Sequence, residues 1–213
     1  MCIRDSYRTA LGYILTLLGE GALDNRPGFT GKIDAAEKEL VCRQVGLKLN
    51  SPLTSSMGRL FDAVSAMAGI RSAIDYEAQA AIEMEMLSYR ASDEEGSYPF
   101  SLAGDDGHTI IKLRELVAAV LDDLLKGCNA STVGMRFHNT VAIMARDVCV
   151  KIRGESGLNS VVLSGGCFQN RLLLTKVTGL LIQSGFDVLN HKNVPSNDGG
   201  VSLGQAVIAA NAA

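Results

Sequence analysis

The sequence predicts an α/β protein, mainly helical over its first 130 residues, with a parallel βαβ unit at its C-terminal end. Two observations support this. Apolar residues recur at spacings of three and four through most of the first part, which is typical of amphipathic helices. The short apolar runs at 160–163 and 186–189 instead flank one amphipathic stretch. A strand, a helix and a second strand in this order indicate a parallel pair with a right-handed crossover.

The helices of the first part follow from this periodicity and from their end signals. Asp34 and Asp75 are candidate N-caps of the second and fourth helices, and Gly69 ends the third. Two strands, 98–102 and 109–112, are joined by a hairpin-type turn whose acidic residues lack the alternating pattern of a calcium loop. The predicted helices are 7–19, 34–49, 58–68, 76–89, 113–126 and 130–153.

The composition excludes several classes of protein. The chain has 213 residues and a net charge of −3, and the acidic balance argues against nucleic-acid binding, which needs a basic face. No apolar stretch approaches the 18 residues of a membrane span, so we expect no membrane contact. The five cysteines are widely spaced, without a CxxC pair, and we expect reduced thiols in a cytoplasmic protein.

The first candidate site is the turn Leu-Ser-Gly-Gly-Cys-Phe-Gln-Asn, in which Gly165 and Gly166 separate the strand 160–163 from a predicted helix 168–184. Ligands of open α/β sheets bind beyond the carboxyl ends of strands, and glycine lets the main chain approach them closely. Asn170, in the first helical turn, is placed to reach the same ligand. The alternative is a tight turn that needs glycine for its geometry alone. Cys167 is a candidate nucleophile or, alternatively, a small buried residue.

The second candidate site is Val-Pro-Ser-Asn-Asp-Gly-Gly-Val, before a closing helix at 201–210. A carboxylate at Asp198 suits a metal ion or a phosphate-bridging cation, and the alternative is an N-cap. Gly199 and Gly200 form a second diglycine turn at an equivalent strand-to-helix point. This equivalence favours one site shared by both turns.

Five segments together resemble a known family. They are LSGGCFQNRLLL, VPSNDGGVSLGQA, SSMGRLFDAVSAMAG, YEAQAAIEME and RFHNTVA. In their order along the chain they resemble the C-terminal part of the hydrogenase-maturation carbamoyltransferases of HypF type. That family is related to tRNA threonylcarbamoyl-transferases and to antibiotic O-carbamoyltransferases. The resemblance covers nearly all of residues 7–213.

The resemblance implies a fold and a domain organisation. The fold is that of an actin-like ATPase, with two RNase H-like lobes and a nucleotide between them. Residues 1–6 are then an unmatched N-terminal stub, 7–130 the mainly helical part of the carbamoyltransferase domain, and 131–213 the C-terminal α/β nucleotide-binding lobe.

The resemblance also implies a reaction. Carbamoyl phosphate and ATP give a carbamoyl-adenylate, and the carbamoyl group passes to the C-terminal cysteine of a HypE-type partner protein in nickel–iron hydrogenase maturation. A tRNA-modifying or small-molecule O-carbamoyltransferase of the same fold is an alternative. A non-catalytic binding module that docks through its helical region is another.

Matching the motifs residue by residue implies roles for single side chains. The turn with Gly165, Gly166 and Asn170 matches the adenosine-contacting turn, and Asp198 matches a carboxylate ligand of iron or zinc. Asp62 matches an acid that binds the ribose hydroxyls, and Glu77 matches a residue that faces the nucleotide.

The resemblance implies no specific binding role for the other motif positions. Gly58 and Arg59 are expected to shape the pocket, and Ala78 stands where the family motif has glycine. His138 and Asn139 have no implied role, and we favour a buried, packing histidine. The family's upstream His-rich motif of HHxAH type has no counterpart here. We therefore expect a fragment with an incomplete metal site that is inactive as a carbamoyltransferase on its own.

Overall fold

A computed structural model describes residues 6–23, 27–31, 33–105 and 108–211. The chain divides into two compact units, Met1–Thr140 and Val141–Ala213. The helices are α1 (Ser6–Leu18), α2 (Pro27–Thr30), α3 (Ala35–Gly46), α4 (Met57–Met67), α5 (Gln79–Ser88), α6 (Arg114–Leu125), α7 (Ala130–Ser156), α8 (Arg171–Gln183) and α9 (Val201–Asn211). The strands are β1 (Ser101–Asp105), β2 (His108–Lys112), β3 (Ser160–Leu163) and β4 (Asp187–Asn190).

The division between the units falls inside α7, so the domain boundary near residue 130 stays a prediction. Most of the predicted stub at residues 1–6 lies outside the described residues, as does the centre of the hairpin turn between β1 and β2. None of the helices in the described segments has both the length and the apolar character that crossing a bilayer requires.

The core of the first unit is built around α1 and α4. Helix α1 packs against α3, α4 and α6 through a buried face that includes Leu11 and Ile14. Phe61 of α4 meets Phe137 of α7 edge to face, with ring centroids 4.8 Å apart. Burying side chains of this size contributes about 2 kcal/mol each, which makes this cluster a main source of the unit's stability.

Helix α3 begins as predicted but ends early. The Asp34 carboxylate accepts hydrogen bonds from the backbone N–H groups of Ala36 (2.9 Å) and Glu37 (3.2 Å), which confirms the N-cap. The predicted end at residue 49 is wrong. Lys48 (φ +54°) and Asn50 (φ +51°) adopt left-handed backbone conformations, which no right-handed helix continues through.

Helix α5 begins three residues later than the predicted 76, because Ala78 has a left-handed backbone (φ +62°). Asp75 is therefore not its N-cap. The backbone N–H of Asp75 instead donates to the Gln79 side-chain oxygen at 2.7 Å. Glu77 consequently lies in a turn before the helix and not on it.

The strands β1 and β2 pair antiparallel, with Ser101 opposite Lys112. The predicted first strand, 98–102, is displaced by three residues. The backbone N–H of Tyr98 donates to the hydroxyl of Thr140 on α7 at 2.7 Å, and the Tyr98 side chain is buried. Its backbone donor is therefore not available to a strand ladder.

The second unit contains the predicted parallel βαβ arrangement. Strands β3 and β4 pair parallel, with Ser160 opposite Asp187 and Leu163 opposite Asn190. Helix α8 lies between them in sequence and buries Leu173 and Leu181. It begins at Arg171 instead of 168, because a short 3-10 turn (Gly166–Gln169) precedes it.

Candidate functional site

The two diglycine turns lie against each other in the second unit. The backbone N–H of Gly165 donates to the carbonyl of Ser196 at 2.7 Å. Gly165 follows β3, and Ser196 lies in the loop that follows β4, so both loops leave the carboxyl ends of neighbouring parallel strands. This is the edge of an α/β sheet at which ligands bind.

The four glycines of these turns are required for different reasons. Gly165 has φ +100°, a conformation that other residues adopt only with strain. A Cβ on Gly200 would lie 2.8 Å from the Pro195 carbonyl oxygen, and one on Gly199 would lie 3.0 Å from the Pro195 ring. Gly166 has an ordinary φ, and a Cβ there would meet no atom within 4 Å. Of the four, only Gly166 has no internal reason to be glycine.

Asn170 caps α8. Its side-chain oxygen accepts a hydrogen bond from the backbone N–H of Leu173 at 2.8 Å. The predicted position inside the first helical turn is therefore wrong by one residue, since Asn170 directly precedes Arg171, the first residue of the helix. The side chain fixes the direction in which α8 leaves the first diglycine turn.

Asp198 is exposed and is not the cap of its turn. The cap is Asn197, whose side-chain oxygen accepts from the Gly199 N–H at 3.1 Å. The N-cap alternative for Asp198 is thus wrong, and its carboxylate is not used by the turn that carries it.

The described residues do not fit a metal ion by themselves. Across these segments there is no group of three or more His, Cys, Asp or Glu side chains that could hold one. Iron and zinc sites in proteins usually take at least three protein ligands, and Asp198 supplies one carboxylate.

A histidine that the sequence reasoning missed lies beside the first turn. His191 Nε2 lies 2.9 Å from the Ser164 hydroxyl oxygen. Ser164 directly follows β3 and His191 directly follows β4, and their closeness follows from the pairing of Leu163 with Asn190. Ser164 stands directly after the predicted strand 160–163, whereas His191 is two residues beyond the predicted strand 186–189 and becomes its neighbour only because β4 ends at Asn190.

Asp62 lies half-buried on α4, one turn after Arg59. Burial raises the pKa of the Asp62 carboxyl from its ordinary value of 3.8 to about 6, and the Arg59 charge opposes this rise. Burial also raises the pKa of the Tyr13 hydroxyl on α1, and the Arg59 charge lowers that pKa. Asp62 therefore keeps a carboxylate in a partly desolvated setting, where ionisation is disfavoured.

The segment with Glu77 is fixed by its neighbours, while Glu77 itself is exposed. Gln79 donates to the Glu83 carboxylate at 2.9 Å, and Arg71 donates to the same group at 2.6 Å. The Arg71 hydrogen bond, helped by Gln79, holds the pKa of Glu83 below its usual range. These bonds, together with the left-handed Ala78, place Glu77 in a defined turn.

The segment RFHNT packs the interior of the first unit. His138 is fully buried, and its Nδ1 lies 2.7 Å from the Gly134 carbonyl oxygen, which agrees with the packing interpretation. Asn139 donates to the carbonyls of Glu94 (3.1 Å) and Gly96 (2.8 Å).

Arg136 of the same segment donates to the carboxylates of Glu94 (2.9 Å) and Asp123 (2.8 Å). The motif thus anchors the loop before β1, a network that the sequence reasoning did not foresee.

Comparison with known proteins identifies the family. The family model described as "Carbamoyltransferase, Kae1-like Domain, second subdomain" matches residues 1–205. The chain belongs to this family. The carbamoyltransferase HypF of Synechocystis sp. is 33% identical over 84% of this chain and 23% of its own length. A probable carbamoyltransferase HypF of Methanocaldococcus jannaschii is 29% identical over 94% of this chain and 25% of its own. The chain thus spans about a quarter of these relatives.

Solved structures agree with the assignment. A crystal structure of full-length HypF in a phosphate- and nucleotide-bound form has a TM-score of 0.84 and 41% identity, over 97% of this chain and 31% of that protein. The crystal structure of T. kodakarensis HypF has a TM-score of 0.76 at 22% identity, over 96% of this chain and 27% of that one, and shows the fold alone. The resemblance to the C-terminal portion of HypF-type carbamoyltransferases is thereby confirmed.

Within this carbamoyltransferase family chain, the predicted site residues fall into two sets. Gly165, Gly166, Asn170 and Asp198 belong to the second unit, where the Gly165–Ser196 hydrogen bond brings their two loops together. Asp62 and Glu77 belong to the first unit, on α4 and in the turn before α5, and these two helices pack against each other. The roles of these residues stay predictions.

Proposed function

We propose that this chain provides part of the nucleotide site of a HypF-type carbamoyltransferase of nickel–iron hydrogenase maturation, acting in the cytoplasm. Membership of the carbamoyltransferase family supports the proposal. So does the 41% identity to a HypF crystallised with phosphate and nucleotide. The observation that carries it is the Gly165–Ser196 hydrogen bond, which joins two diglycine turns beside the open main chain of Gly166.

In this proposal, the main chain at Gly166 is the surface on which adenosine rests. The absence of a side chain allows contact at a distance that any Cβ would prevent. Asn170 supports this surface by fixing the start of α8. For Asp62 in the first unit, we propose that it accepts hydrogen bonds from ribose hydroxyls, and with a pKa of about 6 it is mainly ionised at pH 7, so that both carboxylate oxygens can accept. For Glu77, in the exposed turn before α5 of the first unit, we propose the nucleotide-facing role that its family motif implies.

The proposed reaction is carbamoyl transfer. Carbamoyl phosphate is hydrolysed to carbamate and phosphate, and a carbamate oxygen attacks the α-phosphorus of ATP, which forms the carbamoyl-adenylate and releases pyrophosphate. The thiol sulfur of a HypE-type acceptor protein then attacks the carbamoyl carbon of the adenylate. The new C–S bond forms as the C–O bond to AMP breaks, and the thiol proton goes to solvent or to a base. Because the adenylate is already activated, this chain's residues contribute by holding it in place.

The proposed reaction needs groups that the residues of this chain do not supply. We propose that it forms part of an actin-like ATPase fold, that any iron or zinc held with Asp198 takes its other ligands from elsewhere, and that the chain alone does not complete the transfer. The coverage of about a quarter of the relatives' length supports the last two of these points.

The substitution Gly166→Ala tests the proposal. Its Cβ meets no atom within 4 Å and its φ is ordinary, so the variant should fold like the wild type. A methyl group at a closely approached surface costs about 1–3 kcal/mol, so ATP affinity should fall at least about fivefold. Isothermal titration calorimetry with ATP measures this. Gly179→Ala in α8 is the matched control, since its Cβ also meets nothing within 4 Å.

Two results would contradict the proposal. One is a wild-type chain that gives no heat with ATP and no shift in melting temperature, even when the remainder of a HypF-type protein is supplied in trans. The other is equal ATP affinity of the wild type and Gly166→Ala. Product analysis with a thiol peptide, tRNA and small alcohols then distinguishes the acceptor classes.

A further inference from the structure

His191 and Ser164 make a side-chain hydrogen bond beside the first diglycine turn, and the motif roles do not include either residue. The distance from Nε2 to Oγ is 2.9 Å, and both side chains are exposed. The bond connects the first residue after β3 with the first residue after β4. It therefore links the two loops that carry the diglycine turns.

A second bond between the same loops lies one residue further along. The backbone N–H of Gly165 donates to the Ser196 carbonyl at 2.7 Å. Residues 164 and 165 of the first loop are thus both tied to the second loop, one through a side chain and one through the main chain. The next residue is Gly166, whose open main chain is the proposed contact surface. The two bonds stand directly before that surface.

The exposed bond contributes little to the stability of the unit. The core of the second unit contains buried α8 side chains such as Leu173, Val177 and Leu181. A solvent-exposed hydrogen bond adds only about 1 kcal/mol to folding. Its consequence is local, because it limits the conformations of a turn that a ligand would otherwise have to order on binding.

We infer that His191 is a positioning residue for nucleotide binding, which acts through Ser164 to hold the Gly165–Gly166 turn in its binding conformation. This inference rests on the proposed function. The imidazole is needed only as the hydrogen-bond partner of Ser164. The substitution His191→Gln keeps a polar side chain at this position and should therefore preserve nucleotide binding.

The experiment measures ATP affinity of the 213-residue chain by calorimetry for His191→Ala, Ser164→Ala, the double variant and His191→Gln. Each single alanine variant should bind ATP about threefold to fivefold more weakly, which is the effect of one such bond. The double variant should be no weaker than the weaker single variant, since both remove the same interaction. His191→Gln should bind within twofold of the wild type. Asn193→Ala, an exposed neighbour in the same loop, is the control and should bind like the wild type.

Amide hydrogen exchange tests the inference without nucleotide. The Gly165 N–H is bound to Ser196, so its exchange should be faster in His191→Ala and normal in His191→Gln. Unchanged protection of Gly165 overturns the inference whatever ATP does. Equal ATP affinity of His191→Ala and the wild type also overturns it, as do additive single effects or a His191→Gln variant as weak as His191→Ala. Failure of the proposed function gives a different result, namely unchanged binding by Gly166→Ala or none by the wild type.

Discussion

Asp62→Asn should stabilise the protein at neutral pH and weaken its binding of nucleotide. The carboxyl group is half-buried on α4, and the described residues give it no hydrogen bond. Arg59, one turn earlier, acts on it only through its charge. Asparagine has nearly the same shape without the charge. The substitution therefore removes the desolvation of an ion and leaves the packing almost unchanged.

The size of the effect follows from the pKa of Asp62. A pKa raised from 3.8 to about 6 means that the folded state binds the proton more tightly than the unfolded chain. Ionisation then costs nothing below about pH 3.8, and its full cost applies above about pH 6. At 1.36 kcal/mol per pH unit the cost is about 3 kcal/mol, and partial solvent screening reduces it to about 1–2 kcal/mol.

Urea unfolding of the wild type and Asp62→Asn at pH 4.5 and pH 7.5 measures the effect. The variant should be more stable by about 1–2 kcal/mol at pH 7.5, and the difference should be much smaller at pH 4.5. Asp93→Asn, an exposed aspartate, is the matched control and should show no such pH dependence. A variant that is less stable at pH 7.5, or a difference that is equal at both pH values, would refute the reasoning.

Two further substitutions test the backbone and the packing of the first unit. Ala78→Gly should stabilise the chain by about 0.5–1 kcal/mol in urea unfolding, because Ala78 has φ +62° and a left-handed alanine costs more than the added freedom of unfolded glycine. Ala119→Gly in α6 should instead destabilise by about 1 kcal/mol, and equal effects at both sites would contradict this. Gly134→Ala should destabilise by about 1–3 kcal/mol, since its Cβ would overlap Ser88 Oγ and lie 3.2 Å from Met84 Cγ. Thermal unfolding measures this, and a Ser88→Ala background should restore part of the loss; a variant as stable as the wild type would show that the contact relaxes freely.

Much of the fold is predictable from local signals. Apolar spacing locates the helices, Asp34 caps α3, and the order strand, helix, strand gives the parallel pair of the second unit. These features depend on residues close together in the sequence. The boundary errors at α3 and α5 come from left-handed backbone at Lys48, Asn50 and Ala78. The error at β1 comes from a distant partner. Thr140 takes the backbone donor of Tyr98, 42 residues away, and so moves the start of β1.

The candidate site is predictable in part for the same reason. The equivalent positions of the two diglycine turns predict one shared site. The Gly165–Ser196 hydrogen bond brings the two loops into contact, and the shared ligand site stays a prediction. His191 was missed because the second strand was predicted one residue too early, at 186–189. With β4 at Asp187–Asn190, the pairing of Leu163 with Asn190 makes Ser164 and His191 neighbours. An error of one residue in register is enough to hide such a pair.

The segments that carry the family resemblance have different structural roles. These roles determine which segments can be used as evidence of function. In RFHNT, the side chains of Arg136, His138 and Asn139 all bind groups inside the first unit, so a match there indicates the fold. In the second diglycine turn, glycine is forced by contacts with Pro195, so a match there indicates the turn. Gly166 and Asp62 are different, because no internal contact requires the first and burial of the second costs stability. A residue that the fold does not need is the place to look for a ligand, and these two positions separate the nucleotide proposal from a purely structural explanation of the motifs.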